Sequence, residues 1–182
     1  MTTLRLYSIG DVDPAAVQYA ALTASEVLGL RCRIDQRRLD PGEAYLPGRN
    51  QYHSTSLLEV LLKQEGPPGE IRLGLTEVDL CIPILTFVFG EALLQGAAAV
   101  VSLHRLRQPF YGLPHDPDLL LRRLEKEILH ELGHAAGLIH CRDYRCAMAF
   151  SNSVGQVDLK EPSFCDSCRG ELSLVWPETA GM

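Results

Sequence analysis

Nowhere in the 182 residues is there an apolar run long enough to cross a bilayer; the stretch from Leu80 to Phe89 is broken by Pro83 and is too short. The opening residues, Met1-Thr2-Thr3-Leu4-Arg5-Leu6, alternate rather than setting a basic segment ahead of a long greasy one. No secretory signal is therefore expected, and a cytoplasmic location follows. Positive charge is also in short supply. Seventeen Lys and Arg stand against 23 Asp and Glu, a net charge of -6 at pH 7, which argues against a nucleic-acid surface and against attraction to an anionic membrane. Internal repeats, low-complexity tracts and long charge runs are missing as well. What remains is a chain of one-domain length, able to bury a substantial core.

The order of apolar patterns predicts a mixed α/β fold. Leu4 to Ile9 reads as a strand ended by Gly10, and Asp13-Pro14 as a helix start, with a capping carboxylate and a proline at the first helical position. Ala15 to Leu28 continues as helix up to Gly29, and Leu30 to Ile34 alternates as a second strand, so the pair is expected to be parallel. The segment 40–51, with Pro41-Gly42 and Pro47-Gly48, reads as a loop. Ser56-Leu57-Leu58-Glu59 has capping-box spacing and predicts a helix to Gln64. Strands are expected over 70–76, 86–89 and 97–103, the middle one at a sheet edge, which gives a sheet of about five strands. From Asp116-Pro117 onward, Leu120, Leu121, Leu124, Ile128 and Leu132 recur at helical spacing. Arg122, Arg123, Glu125, Lys126 and Glu127 are placed mostly on the opposite, solvated face.

The chemistry lies at the end of that helix. His130-Glu131-Leu132-Gly133-His134 has the form H-E-x-x-H, which puts two imidazoles one turn apart with a carboxylate beside the first. Gly137 can stop the helix in a left-handed conformation, letting the chain turn back so that His140 joins the same metal. Three neutral imidazoles on zinc leave a fourth position for water, and Glu131 is the candidate general base. Immediately afterwards come Cys141 and Cys146, spaced C-x4-C, then Cys165 and Cys168, spaced C-x2-C. Disulfides compete as an explanation, but in a chain without a secretion signal a structural four-thiolate zinc is favoured, folding the last part of the chain. Cys32 and Cys81 lie in strand-like runs and read as small buried hydrophobes. Tyr111 and Tyr144 are secondary candidates for lining a pocket or stabilising an oxyanion, although packing is the simpler role for both. His53, His104 and His115 are isolated.

H-E-x-x-H-x-x-G-x-x-H followed by Cys141, Cys146, Met148, Cys165 and Cys168 resembles the metzincin metallopeptidases, and the archaemetzincins in particular. Phe89-Gly90-Glu91-Ala92 and Val100 to Leu103 are similar to that family's sheet region. The resemblance implies catalytic zinc ligands at His130, His134 and His140, a general base at Glu131, a second zinc on the four cysteines, and Met148 in a methionine turn beneath the catalytic metal. It also implies a twisted, mostly parallel mixed sheet with an antiparallel edge strand able to pair with an extended peptide. The expected arrangement is one structural domain in two parts: residues 1–137 with the sheet and active-site helix, and 138–182 as a small zinc-stapled subdomain. Two functions fit: a zinc peptidase acting on peptide or protein substrates with two zinc ions per chain, or a zinc-stabilised peptide-binding protein whose catalytic-type site is idle. Glu131 favours the first, because a purely structural site needs no base.

Overall fold

In the computed structural model, which describes residues 2–177 and 179, the first strand, β1 (Thr3–Ile9), is followed by helix α1 (Pro14–Leu28) and β2 (Arg31–Leu39). The Asp13 carboxylate accepts the Ala15 N–H at 2.9 Å, and Gly29 ends the helix in the left-handed region, both as the sequence predicts. Two very short strands, β3 (Tyr45–Leu46) and β4 (Gln51–His53), lead into α2 (Ser54–Leu62). The chain then passes through β5 (Ile71–Thr76), β6 (Leu80–Cys81), β7 (Gly90–Ala92) and β8 (Ala98–Ser102) to the 19-residue helix α3 (Pro117–Ala135). Two shorter helices, α4 (Val154–Leu159) and α5 (Asp166–Val175), follow.

The main sheet has the order β2-β1-β5-β8-β7. The first four strands are parallel, and β7 pairs antiparallel with β8 at the edge, Gly90 opposite Val101 and Ala92 opposite Ala99. Alternation along the strands sorts side chains onto two faces. Leu4, Leu6, Leu73, Leu75, Ala99 and Val101 pack with α1 and α3. Tyr7, Ile9, Ala98 and Val100 pack with Leu57, Leu58 and Leu61 of α2 on the other side. The residues after Gly137 share the first of these cores, through Met148, Val157, Phe164, Leu172 and Trp176.

Four expectations need correction. The segment 86–89 is not a strand: only Val88 makes an isolated bridge to Leu80, and the edge strand is Gly90–Ala92. The Leu85 and Thr86 carbonyls bond side chains of Arg49 and Gln51 instead of a neighbouring strand. Helix α2 starts at Ser54 rather than Ser56, with His53 at the cap position and no capping box, because the Ser56 hydroxyl meets the His53 ring at 3.1 Å instead. Of the charged residues of α3 placed on a solvated face, Arg122 is exposed and Glu125 half-buried, but the other three are not on it. Arg123, Lys126 and Glu127 are buried against α4 and the segment that follows it. The loop predicted over 40–51 also contains β3, which joins β4 and β6 in a three-stranded sheet.

Candidate active site and metal centres

Helix α3 ends as the motif demands. Asp116 caps its start by accepting the Leu119 N–H at 2.9 Å, and Gly137, at a φ of 104°, reverses the chain. The reversal is held by Leu138 N–H donating to Gly133 O at 2.9 Å. His130, His134 and His140 consequently converge, with one ring nitrogen of each within 4.8 Å of the other two. The Nε2 atoms of His130 and His134 lie 3.1 Å apart. Tetrahedral zinc with bonds of 2.0–2.1 Å sets its nitrogen ligands about 3.3 Å apart, so the pair fits that ion with a small adjustment. Each Nδ1 is engaged elsewhere: His130 with Ala147 O and His134 with Leu138 O, both at 2.8 Å. Those carbonyls fix the tautomer that leaves Nε2 free to bind metal. Burial pushes the His130 pKa well below its ordinary value, with the Lys160 charge adding to the shift, and burial lowers those of His134 and His140 too. All three therefore favour the neutral form that a metal requires.

Glu131 is buried at the base of the cleft that opens over the histidines, 4% exposed. Burial pushes its carboxyl well above the usual carboxylate range, Glu127 adds to that, Lys160 opposes it and Glu91 adds a little more. A divalent cation alongside would pull it back toward ionisation. Its side chain rests on the backbone of Gly90, the first residue of the edge strand. A Cβ there would lie 2.6 Å from Glu131 Oε1 and 2.7 Å from Val100 O. Only glycine leaves room for the carboxylate at this position.

The four cysteines form the second cluster, again with all ligand atoms within 4.8 Å of one another. Cys141 Sγ and Cys165 Sγ are 3.7 Å apart, which matches the spacing of about 3.75 Å that Zn–S bonds near 2.3 Å give in a tetrahedron. All four thiols are free. Burial pushes the Cys168 thiol far up, whereas the Cys168 backbone N–H pulls Cys165 down. Ionising the whole set at such close quarters requires a cation among them. The donor sets fit zinc in both places. The clusters are joined through the backbone: Cys141 directly follows His140, and its N–H donates to Met148 O at 2.9 Å. Met148 is fully buried beneath the histidine helix, and a Cβ on Gly133 would meet its sulfur at 2.3 Å.

A cleft of about 450 Å³ opens over the three histidines. Its walls are mainly apolar, with Leu85, Phe87, Ile139 and Phe150 prominent, and the edge strand β7 runs along it. Tyr111 and Tyr144 do not line it; the Tyr111 hydroxyl donates to Arg105 O at 2.8 Å, and Tyr144 is exposed. Cys81 is buried and Cys32 partly so, as small apolar side chains. Of the isolated histidines, His104 packs against Phe110.

Two further groups in the cleft escape a reading of the sequence. Lys160 donates to Glu127 Oε1 at 3.0 Å, with the side chains only 1% and 3% exposed, and both residues line the cleft. On the same helix, Arg123 forms a two-pronged pair with Asp158 at 2.7 Å for each contact, and Lys126 donates to the Val157 and Asp158 carbonyls. Residues 123, 126, 127, 130, 131 and 134 form a single stripe at helical spacing. That spacing was the available signal, hidden because the same residues look like an ordinary solvated face. Gly90 stands out in the sequence only within the Phe89–Ala92 segment that resembles the family's sheet region; its fit against Glu131 depends on a helix distant in sequence.

Comparison with known proteins agrees with this architecture. The profile of Peptidase family M54 matches residues 66–174. An archaemetzincin from Methanocaldococcus jannaschii is 44% identical over 164 residues, spanning 90% of this chain and 89% of the relative. The crystal structure of archaemetzincin from Methanopyrus kandleri superposes with a TM-score of 0.81 at 37% identity, covering 98% of this chain and 96% of that one. That of a zinc-dependent peptidase from Methanocorpusculum labreanum gives 0.83 at 28% identity, with 93% and 99% covered. With identity at this level along nearly the whole chain, and the same fold, the chain belongs to the archaemetzincins, peptidase family M54, and is a zinc metallopeptidase.

Proposed function

We propose that this chain hydrolyses peptide bonds with one zinc held by His130, His134 and His140, and that a second, structural zinc is held by Cys141, Cys146, Cys165 and Cys168. When bound, the first zinc supplies Lewis acidity, polarising the substrate carbonyl and lowering the pKa of water to about 7. Glu131 is the general base: it takes the proton from the attacking water as the new C–O bond forms, then delivers a proton to the amine nitrogen as the C–N bond breaks. Edge strand β7 offers its free backbone groups to an extended peptide, and the apolar walls receive its side chains. The four-cysteine site makes residues 138–182 a stapled subdomain whose purpose is to hold His140 and Met148 in place. Four thiolates suit a reducing compartment, in keeping with a cytoplasmic location.

The observation that carries this reading is the enclosed Glu131 carboxyl beside three converging imidazoles, on the floor of a cleft bounded by a sheet edge. An idle site would have no use for a carboxyl buried at such cost. The test is cleavage of a peptide library by the zinc-loaded protein and by Glu131→Gln. The variant is expected to keep its zinc and lose activity by at least about a hundredfold. Equal cleavage by the two proteins would sink the assignment of Glu131.

A further inference from the structure

One wall of the cleft has almost no secondary structure of its own. Among the described residues, the stretch 82–88 between β6 and β7 makes only the Leu80–Val88 bridge and a turn from Leu85 N–H to Ile82 O at 3.2 Å, and the segment is tied to β8 only at its end, where Phe89 O accepts the Ser102 N–H at 2.8 Å. Yet Ile82, Leu85, Phe87 and Phe89 from this segment all line the cleft, while Ile84 at its tip is exposed. A segment with so few bonds would be expected to wander, which raises the question of what holds it.

The answer lies on a different part of the chain. Arg49, between β3 and β4, directs its guanidinium into the loop's carbonyls: Nη1 donates to Ile82 O at 3.1 Å, and Nη2 donates to Leu85 O and Thr86 O at 2.8 Å each. Its Nε donates to Gln51 Oε1 at 2.9 Å, and the Gln51 amide in turn donates to Thr86 O, also at 2.9 Å. Gln51 also bonds Asp79, which pairs with Arg105 at 2.6 and 2.7 Å, and the Arg105 guanidinium lies 4.3 Å from the centre of the Phe87 ring. From Arg49 to Phe87 the network is continuous. A planar fork with donors on all three nitrogens fits three carbonyls and one amide at once, whereas a lysine ammonium cannot reproduce that geometry.

We infer that Arg49 is a positioning residue that holds the substrate-binding wall 82–89 in shape from outside the cleft. This rests on the reading that the cleft is where the peptide binds. Arg49 does not line the cleft and touches neither the histidines nor Glu131. Its effect is therefore on substrate binding rather than on the chemical step, because a preordered wall spares the peptide the entropy of ordering it.

The test uses the zinc-loaded full chain with Arg49→Ala and Arg49→Lys. Hydrogen exchange is followed at the 82–88 amides, and peptide cleavage is measured over a range of substrate concentrations. Both variants are expected to exchange faster at the Leu85 and Val88 amides, and to show KM raised about three- to tenfold with kcat and zinc content unchanged. Exchange unchanged in Arg49→Ala would overturn the inference whether or not the protein cleaves the peptide, so its failure is separable from failure of the catalytic assignment. Full recovery by Arg49→Lys, or a fall in kcat with KM unaltered, would equally overturn it.

Discussion

Substituting Gly90 by alanine tests how closely the sheet edge and the helix that carries His130, Glu131 and His134 are fitted. The new Cβ would stand 2.6 Å from Glu131 Oε1, 2.7 Å from Glu131 Cγ and 2.7 Å from the Val100 carbonyl. Ordinary contact begins near 3.5 Å, so Glu131 must retreat by about 0.8 Å or the edge strand must move off β8 by a similar amount. The Val100 contact is with backbone inside the β7–β8 ladder, and cannot be relieved by a rotamer change. Overpacking of this kind costs about 1–3 kcal/mol, against which alanine recovers roughly 0.5–1 kcal/mol of backbone entropy. The net loss of about 1–2 kcal/mol corresponds to a Tm lower by roughly 2–8 °C in a chain of this size. Activity should suffer far more, because misplacing a reacting group by about 1 Å costs on the order of a hundredfold. The assay is kcat/KM on a peptide substrate, with bound zinc measured on the same preparation. A variant that cleaves at the wild-type rate would refute the claim that Gly90 makes room for the base.

Other outcomes follow from the same geometry. Lys160→Met strands the Glu127 carboxylate in the interior and should cost about 3–5 kcal/mol, seen as a Tm drop of roughly 6–20 °C, with most of it regained on combining it with Glu127→Leu; a wild-type melt for the single variant would contradict the buried pair. Cys165→Ser removes one thiolate from the cysteine cluster and is expected to halve the bound zinc and lower the melting temperature, while an unaltered melt would rule out a structural metal there. A mild chelator should abolish peptide cleavage with only a small loss of thermal stability, and added zinc should restore it. Recovery of a single, tightly held ion per chain would count against an open histidine site.

Much of the fold was written locally. The Asp-Pro helix starts at Asp13 and Asp116, the glycine stops at Gly29 and Gly137, and the strands that pair as β1, β2, β5 and β8 each depend on a few adjacent residues and formed where expected, except that β2 runs on past Ile34 to Leu39. Both clusters of candidate metal ligands come together for the same reason, since ligand spacing along a helix or a short loop is a local quantity. What could not be read was set by partners remote in sequence. The run 86–89 looks like a strand, but the Thr86 carbonyl is taken by Arg49 and Gln51. Ser54 and Thr55 donate their hydroxyls to Glu91, across 37 and 36 residues, and the Ser56 box is not used. Arg123, Lys126 and Glu127 have the composition of a wet helix face, and only the return of the chain through Asp158 and Lys160 makes them buried.

That buried face gives α3 a fixed angular setting. From Arg123 to His134 the stripe runs about 16 Å, and each residue turns the helix by about 100°. One extra residue between Glu127 and His130 would leave the ion-paired half seated against Asp158 and Lys160 and swing both histidines and Glu131 away from the cleft. The same insertion ahead of Asp116, in the loop, would be absorbed without turning either half. The helix thus behaves as a shaft keyed by its ion pairs, and the angle at which it presents its imidazoles is decided one to two turns away from them.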